Sequence, residues 1–206
     1  DGYFKISSKQ INEYREARLM TKFDNSECIP KILKENNLSI LPISSNTYMI
    51  AQFNTYKKFE KCDKEIERID FPPYIQSLDS ENITSEALAL NCAYITNMLK
   101  DFLGEEGLVP TVSGKMGSGI FSFEIKKIDS DEKIDVTVEN SRMEIDGGYE
   151  GVNSLALVEA KNVISDDFLV RQLYYPYRLW KSKIPKDVRP ISVSYTHLRA
   201  HETRHD

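Results

Sequence analysis

The spacing of apolar and polar positions predicts two structured segments that meet near a pair of prolines. Apolar positions recur at partly helical spacing over residues 7–22, and a shorter helical pattern covers residues 26–36. Two apolar stretches then flank Ser44-Ser45-Asn46, which is typical of a β-hairpin. Pro72-Pro73 predicts a boundary near residue 75, because adjacent prolines end regular structure.

Two helices followed by a hairpin predict a small winged-helix-like module over residues 1–75, with a role in binding DNA. Other small α+β domains show the same order of elements, so that alternative stays open. The three cysteines, Cys28, Cys62 and Cys92, have no metal-binding spacing and indicate idle thiols in a reducing cytoplasm.

The pattern after the boundary predicts helices that cover a mixed sheet, in an α+β or α/β fold over residues 76–193. The expected order is a long helix, three strands, a second helix and a further strand. These elements are predicted at 82–107, 119–128, 133–146, 154–162, 166–183 and from 188 onwards. We expect the second strand to be interrupted at Asn140-Ser141.

The strand "LALVEAKN", residues 155–162, places charge where an apolar side chain is expected. Strand side chains alternate between faces, so Leu155, Leu157, Glu159 and Lys161 share one face. The run is otherwise apolar enough to be buried on both sides. A buried charge is costly unless a partner or a metal satisfies it.

A second acid, Asp146, ends the preceding strand, and Gly147-Gly148 predicts a turn directly after it. If the two strands pair, Asp146 lies beside Glu159, and a divalent cation would relieve the repulsion between their carboxylates. Oxygen ligands favour Mg²⁺ or Mn²⁺ over zinc. Lys161 would then stabilise charge on a phosphoryl group or an attacking water. A salt bridge at a strand end is the alternative interpretation.

Asp146 and the Glu-x-Lys of Glu159 and Lys161 resemble the motif of the PD-(D/E)XK nuclease superfamily, with Ile145 in place of the proline. The order of elements is similar to that of type II restriction endonucleases. This resemblance implies a Mg²⁺-dependent DNA endonuclease of a restriction-modification system, with Mn²⁺ as a possible substitute. It also implies double-stranded DNA as partner, a prokaryotic cytoplasmic location and a possible homodimer. A DNA-binding regulator with an inactive nuclease-like core is the alternative function.

The resemblance also suggests further site residues. Glu86 would add a third metal contact, although it also suits a helix N-terminus as a dipole partner, and Gln172 would lie near the active site. Candidate phosphate contacts are Lys115, Arg171, Arg178 and Lys181. The glycine-rich run Ser113–Gly119 lacks the Gly-Lys-Ser/Thr ending of a phosphate-binding loop and does not lead into a helix, which excludes a nucleoside triphosphatase of that class. We expect a glycine loop that lets the backbone approach DNA, or an ordinary turn.

Composition changes this picture only in part. The net charge of −5 is unlike that of a protein that coats nucleic acid, but residues 128–150 are acidic and residues 161–194 are basic. That order suits a metal site beside a phosphate-binding surface, and it also suits uneven solvated charge. No apolar run approaches the roughly 20 residues of a membrane helix, so no membrane partner is expected.

The histidines of the chain all fall in its last ten residues, at His197, His201 and His205. On a helix they would share one face, as in a transition-metal site. However, the run over residues 194–206 resembles a translated sequencing-adapter tail. We therefore expect it to be non-native, to bind no zinc and to leave the nuclease core truncated at the C-terminus.

Overall fold

The computed structural model describes residues 2–60, 67–79 and 81–195. The N-terminal part contains β1 (Tyr3–Ser7), α1 (Ser8–Asn12), α2 (Lys31–Glu35), β2 (Ser39–Pro42), β3 (Thr47–Ala51) and β4 (Tyr56–Lys58). The later part contains α3 (Glu86–Ile95), α4 (Met98–Leu103), β5 (Val109–Gly117), β6 (Ile120–Lys126), β7 (Lys133–Glu139), β8 (Arg142–Glu150), β9 (Ser154–Lys161), β10 (Asp167–Leu169), α5 (Arg171–Lys183) and β11 (Asp187–Ser194). The fold is a mixture of helices with several sheets, which confirms the predicted α+β class.

The helices predicted near the N-terminus are shorter than expected. Ser7 caps α1 through a capping box, but Asn12 Oδ1 then accepts a 2.8 Å hydrogen bond from the Ala17 amide, and this local bond competes with continued helix. In the second helical pattern, Ile29 is extended at φ −66° and ψ 131° because it precedes Pro30. The helix there covers only α2.

The predicted hairpin is confirmed, since β2 pairs antiparallel with β3 and Leu41 lies opposite Met49. Strand β1 pairs with the other edge of β3, which makes a three-stranded sheet in the order β1-β3-β2.

The chain forms two compact units, which we call the first unit and the second unit. The first unit comprises Asp1–Lys61, Gly114–Glu144 and Ser165–Pro185. Its main core combines the β2–β3 hairpin, the antiparallel β6–β7 hairpin and α5. Buried members of this core include Met49, Phe53, Val136, Val138 and Tyr175. The boundary near residue 75 stays a prediction, because spatial grouping does not show which segment folds by itself.

The second unit comprises Cys62–Ser113, Ile145–Ile164 and Lys186–Asp206. Its sheet has the order β11-β9-β8-β5, with β9 parallel to β11 and antiparallel to β8. Helices α3 and α4 contribute Leu90, Leu99 and Leu103 to a core that also contains Ala156 and Val158 of β9. The predicted long helix is divided at Asn97, whose φ of 62° lies in the left-handed region.

Two expectations about glycines were wrong. Gly147 and Gly148 lie inside β8 rather than in a turn, because a Cβ on Gly147 would lie 2.9 Å from Leu90 Cδ1 and one on Gly148 would lie 2.7 Å from Val112 Cβ. Glycine here permits close packing. The run from Ser113 to Gly117 continues β5 instead of forming a loop. The predicted interruption at Asn140 is confirmed by its φ of 52° between β7 and β8.

Within the described ranges, no helix combines the length and the apolar character needed to cross a bilayer.

Candidate functional site

Strand β9 ends in the pair of charged residues that its sequence indicates. Ser154 to Ala160 are all buried, and Glu159 is only 8% exposed. Ala156, Val158 and Ala160 belong to the core that contains α3 and α4, so this face of β9 is turned toward the helices. Because side chains alternate along a strand, Glu159 and Lys161 lie on the opposite face of the sheet.

Glu159 and Lys161 form an ion pair, with 2.7 Å between Lys161 Nζ and Glu159 Oε1. The side chains are 11% and 25% exposed, respectively. Burying a carboxylate is costly unless hydrogen bonds or an opposite charge compensate it, and here the ammonium two residues away provides the opposite charge. The pair therefore satisfies the buried charge of Glu159. It also holds the Lys161 ammonium at the C-terminal end of β9.

Asp146 lies at the matching end of β8. The antiparallel register sets Gly147 opposite Val158, so the next position along β8 places Asp146 opposite Glu159. Its Oδ2 accepts a 2.8 Å hydrogen bond from the amide of Ala160. A Cβ on the neighbouring Gly147 would meet Leu90 of α3, so Gly147 faces the helices and Asp146 faces the side that carries Glu159. The register thus brings both carboxylates to one face at one end of the sheet.

Glu86 is close to the same group of charges, as the environment of Tyr195 shows. The Tyr195 amide donates to Lys161 O at 2.8 Å. Burial raises the pKa of the Tyr195 phenol most, the carboxylates of Glu86 and Asp146 raise it further, and the Lys161 ammonium lowers it. Three predicted site residues, Glu86, Asp146 and Lys161, therefore act on one phenol. Ser85 caps α3 through the Leu88 amide, which places Glu86 in the first helical turn and keeps its dipole role open.

The donors at this site suit a hard cation. Mg²⁺ in proteins is commonly held by one or two carboxylates together with water and phosphate oxygens. Asp146 and Glu159 offer carboxylate oxygens of that kind. The described part of the chain contains no group of three or more His, Cys, Asp or Glu side chains arranged to hold a metal ion. His197, His201 and His205 lie outside the described residues.

A buried acid that the sequence does not reveal lies at the opposite end of the β8–β9 pair, where the chain passes from one strand to the next. Glu105 accepts hydrogen bonds from the amides of Asn153 and Ser154, at 2.5 and 3.1 Å, and from the Ser154 hydroxyl. The hydroxyl bond is the largest cause of its lowered pKa, followed by the Asn153 amide. Gly151 makes room, since a Cβ there would lie 2.5 Å from Glu105 Cγ. Glu105 thus fixes the connection from β8 to β9.

The remaining predicted site residues lie in the first unit. Lys115 on β5 and Lys181 on α5 are exposed, whereas Gln172 on α5 is half-buried. Arg171 donates to Thr21 O at 3.3 Å. Arg178 donates to Ser122 O at 3.2 Å and to the Tyr174 hydroxyl at 2.8 Å. Both arginines therefore have structural contacts. An arginine that also binds phosphate would have to do so with its remaining N–H groups or give up these hydrogen bonds.

Comparison with known proteins assigns the chain to a family. Residues 51–201 match the family described as Domain of unknown function (DUF6997), and residues 1–50 match Domain of unknown function (DUF6996). The first match covers most of the sequence, so the chain belongs to the DUF6997 family. That match extends past residue 193 into the run that resembles an adapter tail. No curated protein and no solved structure matches the chain.

Proposed function

We propose that this protein is a Mg²⁺-dependent DNA endonuclease of the PD-(D/E)XK type, acting in a prokaryotic restriction-modification system. The observation that supports the proposal most is the placement of Asp146 and Glu159 on one face of adjacent strands, with the Lys161 ammonium 2.7 Å from Glu159. Double-stranded DNA as substrate, Mn²⁺ as a substitute ion, a homodimer and a cytoplasmic location belong to the same proposal.

Hydrolysis of a phosphodiester joins a water oxygen to phosphorus and breaks the bond from phosphorus to one sugar oxygen, which takes up a proton. Asp146 and Glu159 would hold the cation, which supplies Lewis-acid stabilisation of phosphoryl oxygens. Lys161 is held by Glu159 at the open end of β9, where its ammonium can orient water and stabilise negative charge that develops on the phosphoryl group. The Ala160 amide donates a hydrogen bond that fixes the orientation of the Asp146 carboxylate. The Asp146 side chain is therefore already ordered before the substrate binds.

The test compares nicking of a supercoiled plasmid in Mg²⁺ by the wild type, Lys161→Ala and Lys186→Ala. Lys186 is the matched control, because it also forms a 2.7 Å ion pair, with Glu150, in the second unit. We expect Lys161→Ala to cut at least roughly 100-fold more slowly, as for the loss of an electrostatic stabiliser of the transition state. Lys186→Ala should cut at the wild-type rate.

Thermal unfolding of both variants separates chemistry from folding, since Lys161→Ala leaves a buried carboxylate without its ammonium. Lys161→Arg keeps the charge and serves as a second variant. It should fold like the wild type and cut more slowly, because a guanidinium presents its donors differently from an ammonium. Equal cutting by Lys161→Ala and Lys186→Ala would remove Lys161 from the mechanism.

A second function, a DNA-binding regulator with an inactive nuclease-like core, is favoured by one observation. The 2.7 Å ion pair with Lys161 satisfies the buried Glu159 carboxylate without a cation. A regulator would bind DNA in the presence of Mg²⁺ without nicking it, and its binding would be unaffected by Lys161→Ala.

A further inference from the structure

Strand β11 brings a hydroxyl to the site that the sequence motif does not include. The parallel register of β11 and β9 sets Ser192 opposite Glu159. Neighbouring strands of a sheet lie about 4.8 Å apart, so the two residues are direct neighbours. Ser192 therefore flanks Glu159 on the β11 side, as Asp146 does on the β8 side.

The side chain of Ser192 lies on the face of the sheet that carries Glu159. The preceding residue, Ile191, packs against the core that contains α3 and α4. Arg189 lies on the same face as Ile191 and donates to Leu103 O of α4 at 2.9 Å. Because side chains alternate along a strand, Ser192 points away from these helices and toward the side of Glu159.

The Ser192 hydroxyl is available to a ligand. The residue is half-buried, so it is partly open to solvent. Among the residues that the structure describes, its hydroxyl has no hydrogen-bond partner. A ligand that binds Ser192 therefore breaks no hydrogen bond within the described chain, whereas Arg171 and Arg178 already donate to carbonyl oxygens.

A neutral donor suits the charges at this end of β9. A phosphate that approaches Asp146 and Glu159 is repelled by two carboxylates, so a cation and hydrogen-bond donors must supply the attraction. The Lys161 ammonium is one such donor, and it is already shared with Glu159. A serine hydroxyl can rotate its hydrogen toward a phosphate oxygen, and serine is among the usual partners of DNA phosphates.

We infer that Ser192 donates a hydrogen bond to a phosphate oxygen of DNA at the site formed by Asp146, Glu159 and Lys161. The choice of DNA rests on the proposed function, whereas the place of the hydroxyl beside Glu159 rests on the strand register. Ser194, opposite Lys161, belongs to the run that resembles an adapter tail, so the inference concerns Ser192 alone.

Two substitutions of nearly equal shape isolate the hydroxyl. Ser192→Thr keeps it, and Ser192→Val replaces it with a methyl group, while both new side chains are β-branched and suit a strand. Binding of a short fluorescent DNA duplex of mixed sequence is measured in Ca²⁺, which also takes oxygen ligands, before any cut product forms. A duplex of any sequence serves, because phosphate contacts carry no sequence information.

We expect Ser192→Thr to bind the duplex like the wild type and Ser192→Val to bind at least about 10-fold more weakly, as for one lost hydrogen bond to a charged group. Plasmid nicking in Mg²⁺ should show the same difference in kcat/KM. Thermal unfolding shows whether the variants fold alike. Ser192→Ala adds no bulk to the strand and should show the same loss as valine.

The salt dependence distinguishes a neutral contact from a charged one. Ser192→Val should leave the slope of log affinity against log salt as in the wild type, because no charge is removed. Lys161→Ala should make the slope shallower by about 0.9, the value for one phosphate contact. A slope that falls equally in both variants would contradict a neutral contact at Ser192.

Equal affinities of the threonine and valine variants, or no duplex binding by the folded wild type, would overturn the inference. Plasmid cleavage by the wild type together with equal affinities of these two variants would contradict only the role of Ser192. A difference between the two variants in binding, without plasmid cleavage by the wild type in Mg²⁺, would contradict only the hydrolase proposal.

Discussion

At the scale of single residues, the described part of the second unit contains two buried glutamates with different kinds of partner. Glu159 is paired with the ammonium of Lys161, and Glu105 is held by neutral amides and a hydroxyl. The sequence points to Glu159, because a charge inside an apolar strand is conspicuous. Glu105 could not be predicted in the same way, since its partners lie 48 and 49 positions later and two of them are backbone groups that any residue carries.

Replacing Glu105 by glutamine should destabilise the protein. Gln keeps one acceptor oxygen but loses the charge that strengthens three hydrogen bonds, which should lower the free energy of unfolding by roughly 1–3 kcal/mol. Glu106→Gln is the control, because Glu106 is 84% exposed and pairs with Lys100 at the surface. Urea unfolding of the two variants checks the difference, and equal midpoints would show that Glu105 adds no more than a surface acid.

The stabilisation from Glu105 should also depend on pH. Its pKa is lowered in the folded state, chiefly by the Ser154 hydroxyl, so the ionised form favours folding. This contribution is complete above the unfolded pKa of about 4.3 and is lost as pH falls through the folded pKa. We therefore expect the stability gap between wild type and Glu105→Gln to shrink on acidification below that range. A stability difference between the two proteins that does not change with pH would contradict the role assigned to the Glu105 carboxylate.

At the scale of elements, strands were predicted better than helices. The β2–β3 hairpin and β9 follow from alternation and from an apolar run, which are short-range signals. The helix over residues 7–22 was overestimated because the Asn12 side chain captures the Ala17 amide, a contact that no helical period reveals. The predicted turn at Gly147-Gly148 was wrong because these glycines make room for Leu90 and Val112, which are distant in sequence.

Adding one methyl group to a glycine of β8 should therefore destabilise the protein. In Gly148→Ala the new Cβ would lie 2.7 Å from Val112 Cβ, so β5 or β8 must shift, at a cost of about 1–3 kcal/mol. The same shift should displace Asp146, two residues away, and slow DNA cleavage. Gly117→Ala is the control, because its Cβ would meet only Asn140 Oδ1 at 3.9 Å. Unfolding midpoints and nicking rates that match between the two variants would contradict this role.

At the scale of the whole molecule, a net charge of −5 means that the DNA binding we propose cannot depend on overall attraction. Local groups would have to supply it, such as the site at the end of β9 in the second unit. The resemblance to PD-(D/E)XK nucleases identified Asp146, Glu159 and Lys161 from local sequence. The division into two units was not predictable, since each unit collects segments that are far apart along the chain.

Mg²⁺ should stabilise the folded protein through the second unit. A cation that binds the native state raises the unfolding temperature, increasingly so as its concentration rises above its Kd, and here it would also relieve repulsion between two carboxylates. We expect millimolar MgCl₂ to raise the midpoint of the wild type, and not that of Asp146→Asn, in thermal scans at constant ionic strength. An equal rise in both proteins would indicate a general salt effect.

Cleavage of supercoiled plasmid by the wild type and by Asp146→Asn, in Mg²⁺ and in EDTA, tests the central claim most directly. Asparagine retains an oxygen that can accept from the Ala160 amide, so the variant should fold normally. We predict cutting by the wild type in Mg²⁺, none in EDTA, and a rate reduced at least roughly 100-fold in the variant. Cutting that persists in EDTA, or a variant as fast as the wild type, would contradict the account.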